Sequence, residues 1–408
     1  MDSGNLAWSV TATALVLLMT PGVAFFYGGL VKAKSVVSMM MMSFGALGLV
    51  SVLWILYGFN MSAVDSTWAF AGNPFSDFGL GNADNDTLVG ATFGATFAII
   101  TVALISGAIA DRAKFGSWMI FAFIWATIVY FPVAAWVWGG GWIMGLGETF
   151  GFSANVIDYA GGTAVHINAG AAALALALVL GKRIGFQKGI QKPHNVPLVM
   201  LGAALLWFGW FGFNAGAEGT FGLLGTEDSS VGLIIVNTLG ATAAAIIGWL
   251  VIEKVKDGKA TSVGAATGAV AGLVAITPAC ANLTPGWALL LGLVSGVVCA
   301  LAVELKWKLG FDDSLDVVGV HLVGGLIGTL YLGFFATETG LFLGGGAEQL
   351  IVQAIAAFGV LIYSFVLAYA IGFAIEKTIG FRIKNEDEIA GVDTVVHGEE
   401  GYLIAERV

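Results

Sequence analysis

Long runs of apolar residues recur along the whole chain and alternate with short polar segments. A run of about 18 or more apolar residues is long enough to cross a hydrocarbon core of roughly 30 Å as a helix. The pattern therefore predicts an all-α integral membrane protein with eleven transmembrane helices. The predicted spans are residues 6–31, 36–61, 88–110, 115–138, 158–181, 196–217, 231–252, 261–281, 286–305, 315–336 and 348–379.

The composition agrees with a lipid environment and excludes a water-soluble domain. Of the 408 residues, 58% are hydrophobic and 11% are charged, whereas about 25% of residues are charged in soluble domains. The first apolar run follows Met1-Asp2-Ser3-Gly4-Asn5 without a basic start or a small-residue cleavage site. We therefore expect this first segment to be retained as a helix and not removed as a signal peptide.

The charged residues predict the orientation of the chain. With eleven spans, all 17 Lys and Arg residues fall on one side of the membrane, and such residues stay in short cytoplasmic loops. We expect the N-terminus outside and the C-terminus inside. The loops of the other side carry acidic residues, which should concentrate cations there: Asp65, Asp77, Asp84, Asp86, Asp158, Glu218, Glu227, Asp228 and Glu338.

Neither cysteine pattern nor charge indicates a cofactor. Cys280 and Cys299 lie in or beside apolar spans without ligand spacing, which is typical of small buried side chains. We expect no metal site, no structural disulfide and no other cofactor. The acidic net charge of −10 also gives no reason to expect a nucleic-acid partner.

The fifth and tenth spans contain the same pattern around a histidine. Val165-His166 and Val320-His321 are each followed by small residues three, four and seven positions after the histidine, which fall on one helical face. Because five spans separate the two histidines, their helices run in opposite directions. This predicts two five-helix halves in inverted topology, about 6–181 and 196–336, with helix 348–379 outside the repeat and a site near the midplane.

Histidines at such depth are packing residues in some membrane proteins, but polar side chains there are costly and usually functional. Small residues beside His166 and His321 would let their helices approach closely. Two imidazoles in contact can share one proton, because each ring nitrogen donates or accepts a hydrogen bond. The repeat thus favours a functional histidine pair.

The stretch Asp158-Tyr159-Ala160-Gly161-Gly162-Thr163-Ala164-Val165-His166-Ile167-Asn168 resembles the signature of the ammonium transporter (Amt/Mep/Rh) family. Similar segments follow over nearly the whole chain: Gly107 to Arg112, Trp138 to Gly141, Trp210 to Asn214, Thr277 to Cys280 and Asp316 to His321. The resemblance implies a homotrimer with one narrow hydrophobic pore through each subunit. Trp138 favours the Amt branch, since it matches the outer-vestibule aromatic of that branch.

The resemblance also implies roles for individual residues. Trp138, Phe93 and Phe97 would receive the substrate outside, and Phe97 with Phe213 would form the phenylalanine gate. His166 and His321 would be the pore histidines. Asp158 matches the supporting carboxylate, for which we favour a helix N-cap role, and Asp316 would play the equivalent part before span ten. The further supporting residues are Trp210 and Thr277.

One position departs from the family pattern. Where the family commonly has a serine that helps receive the cation, this chain has Ala217 followed by Glu218. A hydroxyl acceptor is therefore missing. Either Glu218 substitutes for it, or recruitment depends more on Trp138.

The chain predicts a transmembrane domain over residues 1–380 and a cytoplasmic tail over residues 381–408. The tail could be a solvated acidic segment, but Gly380-Phe381-Arg382, Glu388, Gly391-Val392-Asp393 and His397 to Tyr402 resemble the family's C-terminal motif. That resemblance implies contacts with neighbouring subunits and a site for a PII-type signalling protein.

The expected function is ammonium transport across the cell membrane. Ammonium, with methylammonium as an analogue, would be recruited outside, lose its proton and cross as ammonia, with or without that proton. The alternatives are a gas channel for ammonia or carbon dioxide, an ammonium sensor, and an intramembrane enzyme. No nucleophile, metal cluster or nucleotide loop accompanies the histidines, so we expect no enzymatic activity.

Overall fold

The computed structural model describes residues 1–64, 68–186 and 192–402, and these residues form helices and loops without a β-strand. Asp65, Lys188 and Arg407, which enter the orientation prediction, lie outside the described residues. The apolar helices are α1 (Ser3–Leu30), α2 (Ala33–Met61), α3 (Asn85–Ile109), α4 (Phe115–Val137), α5 (Gly162–Leu180), α6 (Val196–Thr220), α7 (Val231–Asp257), α8 (Ser262–Ile276), α9 (Pro285–Leu309), α10 (Val318–Phe335) and α11 (Glu348–Thr378).

Ten of these helices, within the described ranges, are long and apolar enough to cross a membrane. Helix α8 is apolar but has only 15 residues, so the predicted span 261–281 is too long. The helix ends at Ile276, two residues before Pro278. Pro278 has no N–H to donate to a preceding carbonyl, and this stops the helical hydrogen-bond ladder.

Helices α5 and α10 begin in the same unusual way. Each starts with a π-helical turn, Gly162–Ile167 or Val318–Leu322, and continues as 13 residues of regular α-helix. Each histidine of the sequence repeat lies in its π turn. The predicted span 158–181 starts too early, because the residue before α5, Gly161, has φ +119° and lies outside helical geometry.

Small residues let α5 and α10 approach closely, as the repeat predicts. A Cβ atom on Gly170 would lie 2.5 Å from the backbone nitrogen of Leu322, and one on Gly325 would lie 3.0 Å from Cγ1 of Ile167. Larger side chains at these glycines would separate the two π turns. The small residues beside each histidine thus allow the two histidines to come into contact.

Helices α1 and α6 pack along each other in a comparable manner. A Cβ atom on Gly202 would lie 2.2 Å from the backbone nitrogen of Phe26, and one on Gly209 would lie 2.3 Å from Cγ of Met19. The backbones therefore meet where these glycines lie. The close packing places Met19, together with Trp210 of α6, beside the histidines.

The described part of the tail, residues 381–402, packs on the loops of its own chain. Phe381 is fully buried, and its carbonyl accepts a hydrogen bond of 2.9 Å from the backbone N–H of Lys114. The Asp393 carboxylate accepts from the backbone N–H groups of Val37 and Ser38 at 3.0 and 2.7 Å. Asp393 thereby caps the start of α2, which a freely solvated tail would not do.

Candidate functional site

One end of the site, the end with Trp138, is a cluster of aromatic rings. The ring centroids of Phe97 and Trp138 are 5.9 Å apart in an edge arrangement, and those of Phe93 and Phe97 are 4.9 Å apart. The indole N–H of Trp138 donates a 2.8 Å hydrogen bond to the backbone carbonyl of Asp158. This bond fixes the half-buried indole next to the loop that leads into α5.

Phe97 and Phe213 form a closed stack below that cluster. Their ring centroids are 4.2 Å apart with an interplanar angle of 24°, and the residues are 6% and 1% exposed. In this conformation the two rings fill the space between the aromatic cluster at Trp138 and the histidines. A solute could pass only if at least one ring changed its rotamer.

The two histidines meet directly. Nδ1 of His166 lies 3.2 Å from Nδ1 of His321, and the rings are stacked at 24° with centroids 5.3 Å apart. One Nδ1 must carry the hydrogen and the other the lone pair, so in the neutral pair one Nε2 accepts hydrogen bonds and the other donates them. The pair therefore offers a proton donor and a proton acceptor side by side.

Trp210 and Thr277 hold one face of this pair. The Trp210 indole stacks on His166 at 17° with centroids 5.5 Å apart, and its N–H donates a 2.8 Å hydrogen bond to the Thr277 hydroxyl. Nε2 of His166 is buried and has no hydrogen-bond partner within the described part of the chain. That nitrogen is thus available to a molecule in the cavity.

A narrow cavity surrounds the histidines. Apart from the two imidazoles, the Tyr27 hydroxyl and the Trp210 indole N–H, its lining side chains are hydrocarbon or thioether: Met19, Val23, Phe26, Ile100, Leu104, Val165, Leu206, Phe213 and Val270. Such walls give a bare ion no ligands to replace its water shell. A small neutral molecule that needs one hydrogen-bond donor and one acceptor fits this environment.

Asp158 caps the π turn that carries His166. Its Oδ1 accepts from the N–H groups of Gly161 and Gly162 at 2.9 and 2.5 Å, and its Oδ2 accepts from those of Thr163 and Ala164 at 2.9 and 3.1 Å. The Thr163 hydroxyl donates a further hydrogen bond. Burial raises the pKa of the Asp158 carboxyl, while these donors act in the opposite direction.

The corresponding carboxylate before α10 is Asp313 and not Asp316. Oδ2 of Asp313 accepts a 2.7 Å hydrogen bond from the N–H of Val318, at the start of the π turn. Asp316 instead pairs with Lys306 at 2.5 Å. Its φ of +64° makes it the counterpart of Gly161, since each lies five positions before a histidine in left-handed backbone geometry.

Sequence reasoning missed Asp313 although a signal was present. Asp158 precedes His166 by eight positions, and Asp313 precedes His321 by the same number. Extending the histidine repeat backwards would therefore have selected Asp313. The family-like segment quoted for the second half begins at Asp316, which drew attention to the wrong acidic residue.

The Glu218 carboxylate is occupied by protein donors. Glu218 is 1% exposed and accepts from the Tyr159 hydroxyl at 2.6 Å, the Ser229 hydroxyl at 2.8 Å and the Ser230 N–H at 2.9 Å. It joins the end of α6 to the loop that precedes α5. This geometry gives Glu218 a structural function and leaves the neighbouring Ala217 without a hydroxyl replacement.

Apolar membrane-crossing helices around a closed aromatic stack and a buried histidine pair define a multi-pass membrane transport protein. The Ammonium Transporter Family model matches residues 7–402, and the chain belongs to that family. It is 51% identical to the ammonium transporter of Mycobacterium tuberculosis strain H37Rv over 99% of this chain and 91% of that protein.

Solved structures agree with this assignment. A structure titled "Sensor Amt Protein" superposes with a TM-score of 0.86 at 29% identity, over 96% of this chain and 97% of that one. Candida albicans Mep2 superposes with a TM-score of 0.84 at 31% identity, over 95% and 88%. The chain is therefore a membrane transporter of this family and not an enzyme, and it lies in the cell membrane as a multi-pass protein.

Proposed function

We propose that this protein takes up ammonium by recruiting the cation at the Trp138 vestibule, removing its proton and passing ammonia through the cavity that His166 and His321 line. The observation that carries the proposal is the 3.2 Å contact between the two Nδ1 atoms directly behind the closed Phe97–Phe213 stack. Phe93 would complete the outer vestibule. The substrate is ammonium or ammonia, and methylammonium should serve as an analogue.

Energetics favour loss of the proton in the cavity. Moving a bare ion into apolar surroundings costs tens of kcal/mol in an idealised Born estimate, reduced to several after relaxation. With a lysine-like pKa of ~10.4, releasing a proton at pH 7 costs roughly 4 to 5 kcal/mol. Deprotonation thus competes with burial of the charge for ammonium, and K+ and Na+ have no such route.

The proposed topology has eleven spans, with α8 as the eighth. The N-terminus lies outside and the C-terminus inside, as the distribution of basic residues supports. The halves would be inverted repeats over about 6–181 and 196–336, followed by α11, within a domain of residues 1–380. The matching π turns of α5 and α10 support this arrangement.

The proposed assembly is a homotrimer with a pore in each subunit, and the proposed partner of the tail, residues 381–408, is a PII-type signalling protein at the cytoplasmic face. The tail contacts at Lys114 and at the start of α2 support a regulatory function, because a partner that displaced the tail would disturb two cytoplasmic loops.

An ammonium sensor is the second candidate, because the chain is similar in structure to a sensor Amt protein. A gas channel for ammonia or carbon dioxide is the third, since the cavity walls are apolar. Currents recorded from proteoliposomes during an ammonium pulse distinguish the three. We expect a current that saturates with ammonium and is not produced by K+ or Na+.

Two other results would contradict charge-coupled uptake of ammonium. Ammonia flux without current would favour the gas channel. Ammonium binding without either flux or current would favour the sensor.

A further inference from the structure

The two capping aspartates differ in how fully they are hydrogen-bonded. Both oxygens of Asp158 accept hydrogen bonds. Asp313 is 2% exposed, and only its Oδ2 accepts a hydrogen bond, from Val318. Its Oδ1 is buried without a hydrogen-bond partner among the residues described. A buried carboxylate oxygen without a donor is costly while it is charged, so this oxygen favours a proton.

The basic side chains near Asp313 donate their hydrogen bonds to oxygens other than its Oδ1. The Lys306 ammonium donates to the Asp313 backbone carbonyl at 2.9 Å and to Oδ1 of Asp316 at 2.5 Å. On the opposite side, the Arg112 guanidinium donates to the Asp312 carbonyl at 2.6 Å and to the Ser314 hydroxyl.

Two further polar groups around this loop also make their hydrogen bonds elsewhere. The carboxylate of Asp312 pairs with Arg183 at 2.9 Å. The hydroxyl of Tyr27, on α1, donates to the Leu104 carbonyl at 3.2 Å. None of these hydrogen bonds reaches Oδ1 of Asp313, which agrees with its unpartnered state.

The electrostatic balance at Asp313 suits a group that gains and loses a proton near neutral pH. Burial, the largest influence, raises the pKa of the Asp313 carboxyl to about 6; the Lys306 charge lowers it, the Asp316 charge raises it, and the backbone N–H groups of Val318 and Val317 lower it. A carboxyl with such a pKa populates both its charged and its protonated form near neutral pH.

The Asp313 loop lies close to side chains that line the cavity. Tyr27 and His321 both line the cavity. A Cβ atom on Gly107 would lie 2.7 Å from the Tyr27 ring and 2.8 Å from Cγ2 of Val317, so Tyr27 and Val317 meet at Gly107. Val317 leads directly from the Asp313 loop into the π turn of His321.

We propose that Asp313 accepts at Oδ1 the proton that leaves the histidine pair and passes it to the cytoplasm. In this step an imidazolium N–H bond breaks, an Oδ1–H bond forms and the histidine pair becomes neutral. The carboxyl then gives the proton to water. The proposal rests on the proposed function, because it requires deprotonation of ammonium at the histidines and a cytoplasmic position of the Asp313 loop.

The first test measures protonation directly by infrared difference spectroscopy of the full-length protein in proteoliposomes. We expect a carboxylic-acid band that titrates near pH 6 and that Asp313→Asn removes, because asparagine keeps an acceptor for Val318 but has no proton to exchange. The matched control is Asp393→Asn, since Asp393 is also buried and caps a helix, yet lies in the tail. A band that survives in Asp313→Asn would overturn the proposal.

The second test measures ammonium-driven current while the internal pH is varied from about 5 to 8. In the wild type the current should fall as internal pH drops through the pKa of Asp313, because a protonated carboxyl accepts no further proton. Asp313→Asn should reduce the current about tenfold and abolish this pH dependence, whereas Asp393→Asn should keep the wild-type profile.

The outcomes separate the two proposals. A normal wild-type current with the same pH profile in Asp313→Asn would overturn the Asp313 step alone. A wild type that yields no ammonium current would overturn charge-coupled uptake and the relay step together. If Asp313→Ala loses current while Asp313→Asn keeps the full current and profile, Asp313 is only a helix cap.

Discussion

The starts of α5 and α10 have the same backbone geometry but different side chains around them. Each has an aspartate eight positions before the histidine, a left-handed residue five positions before it and a π turn around it. Even the aspartate carbonyls correspond: that of Asp158 accepts from the Trp138 indole at 2.8 Å, and that of Asp313 accepts from the Lys306 ammonium at 2.9 Å.

The difference between these donors suggests opposite functions. A neutral indole beside Asp158 leaves that approach to the histidines attractive to a cation, since aromatic faces bind cations. The carbonyl of Asp313 instead accepts from a charged ammonium group that also pairs with Asp316. The repeat thus preserves the geometry that holds the histidines, while the substituents at each end make the two approaches unequal.

The largest expected effect concerns stability. Asp158→Ala would leave four backbone N–H groups without their acceptor, and each buried unsatisfied group costs ~1–3 kcal/mol. We expect a loss on the order of 4 kcal/mol or more in the free energy of unfolding. Asp313→Ala removes one such bond and should cost ~1–3 kcal/mol. Unfolding in detergent measures both, and equal losses would contradict the distinction between the two caps.

Replacing either histidine should have the next largest effect, and the same effect in both halves. His166→Ala or His321→Ala removes the Nδ1 partner of the other ring, so charge-coupled uptake should fall at least about tenfold while the protein still assembles. Ammonium currents test this. Glutamate at either position can still exchange a proton, and we expect it to restore conduction while admitting K+. Alanine variants with normal rate and selectivity would reduce the pair to packing.

Recruitment of the cation should depend on the aromatic face of Trp138. Trp138→Leu removes a cation–π contact of ~0.5–2 kcal/mol, so the apparent affinity should weaken by a factor of about 2 to 30. Competition between ammonium and K+ in the current assay measures this change. Trp138→Phe is the control, since it keeps a ring but loses the N–H that bonds Asp158. An unchanged affinity in Trp138→Leu would exclude the recruitment role.

Transport and its regulation should depend on the tail. Deleting residues 386–408 removes the Asp393 cap of α2 and the 2.7 Å hydrogen bond between the Ile184 N–H and Glu388. We expect membrane insertion to persist, while transport falls or loses its inhibition by a PII-type protein. Full transport with normal inhibition would show that the tail is dispensable.

The smallest expected effect is at Ala217. Ala217→Ser would restore one hydroxyl acceptor, worth roughly 0.5 to 1.5 kcal/mol, and should tighten the apparent affinity for ammonium modestly. Glu218→Gln in the same assay reports whether the neighbouring carboxylate contributes. If the affinity of Ala217→Ser falls or does not change, water or another group already fills that place.

The sequence by itself determined the all-helical membrane architecture, because helix length and hydrophobicity in lipid are local properties of each segment. It also selected His166 and His321, since a polar residue in an apolar run stands out and the repeat marks it twice. The short α8 and the late start of α5 were not foreseen, because Pro278 and the left-handed Gly161 act through backbone geometry.

The tertiary structure decided how the carboxylates are used. The repeat spacing favours Asp313 over Asp316, but only the packed structure shows that Asp313 caps the π turn while Lys306 pairs with Asp316. Glu218 is likewise occupied by Tyr159 and the loop before α7. A hydrogen bond depends on angles and distances of a few tenths of an ångström between groups far apart in the chain, and only the packed helices fix these distances.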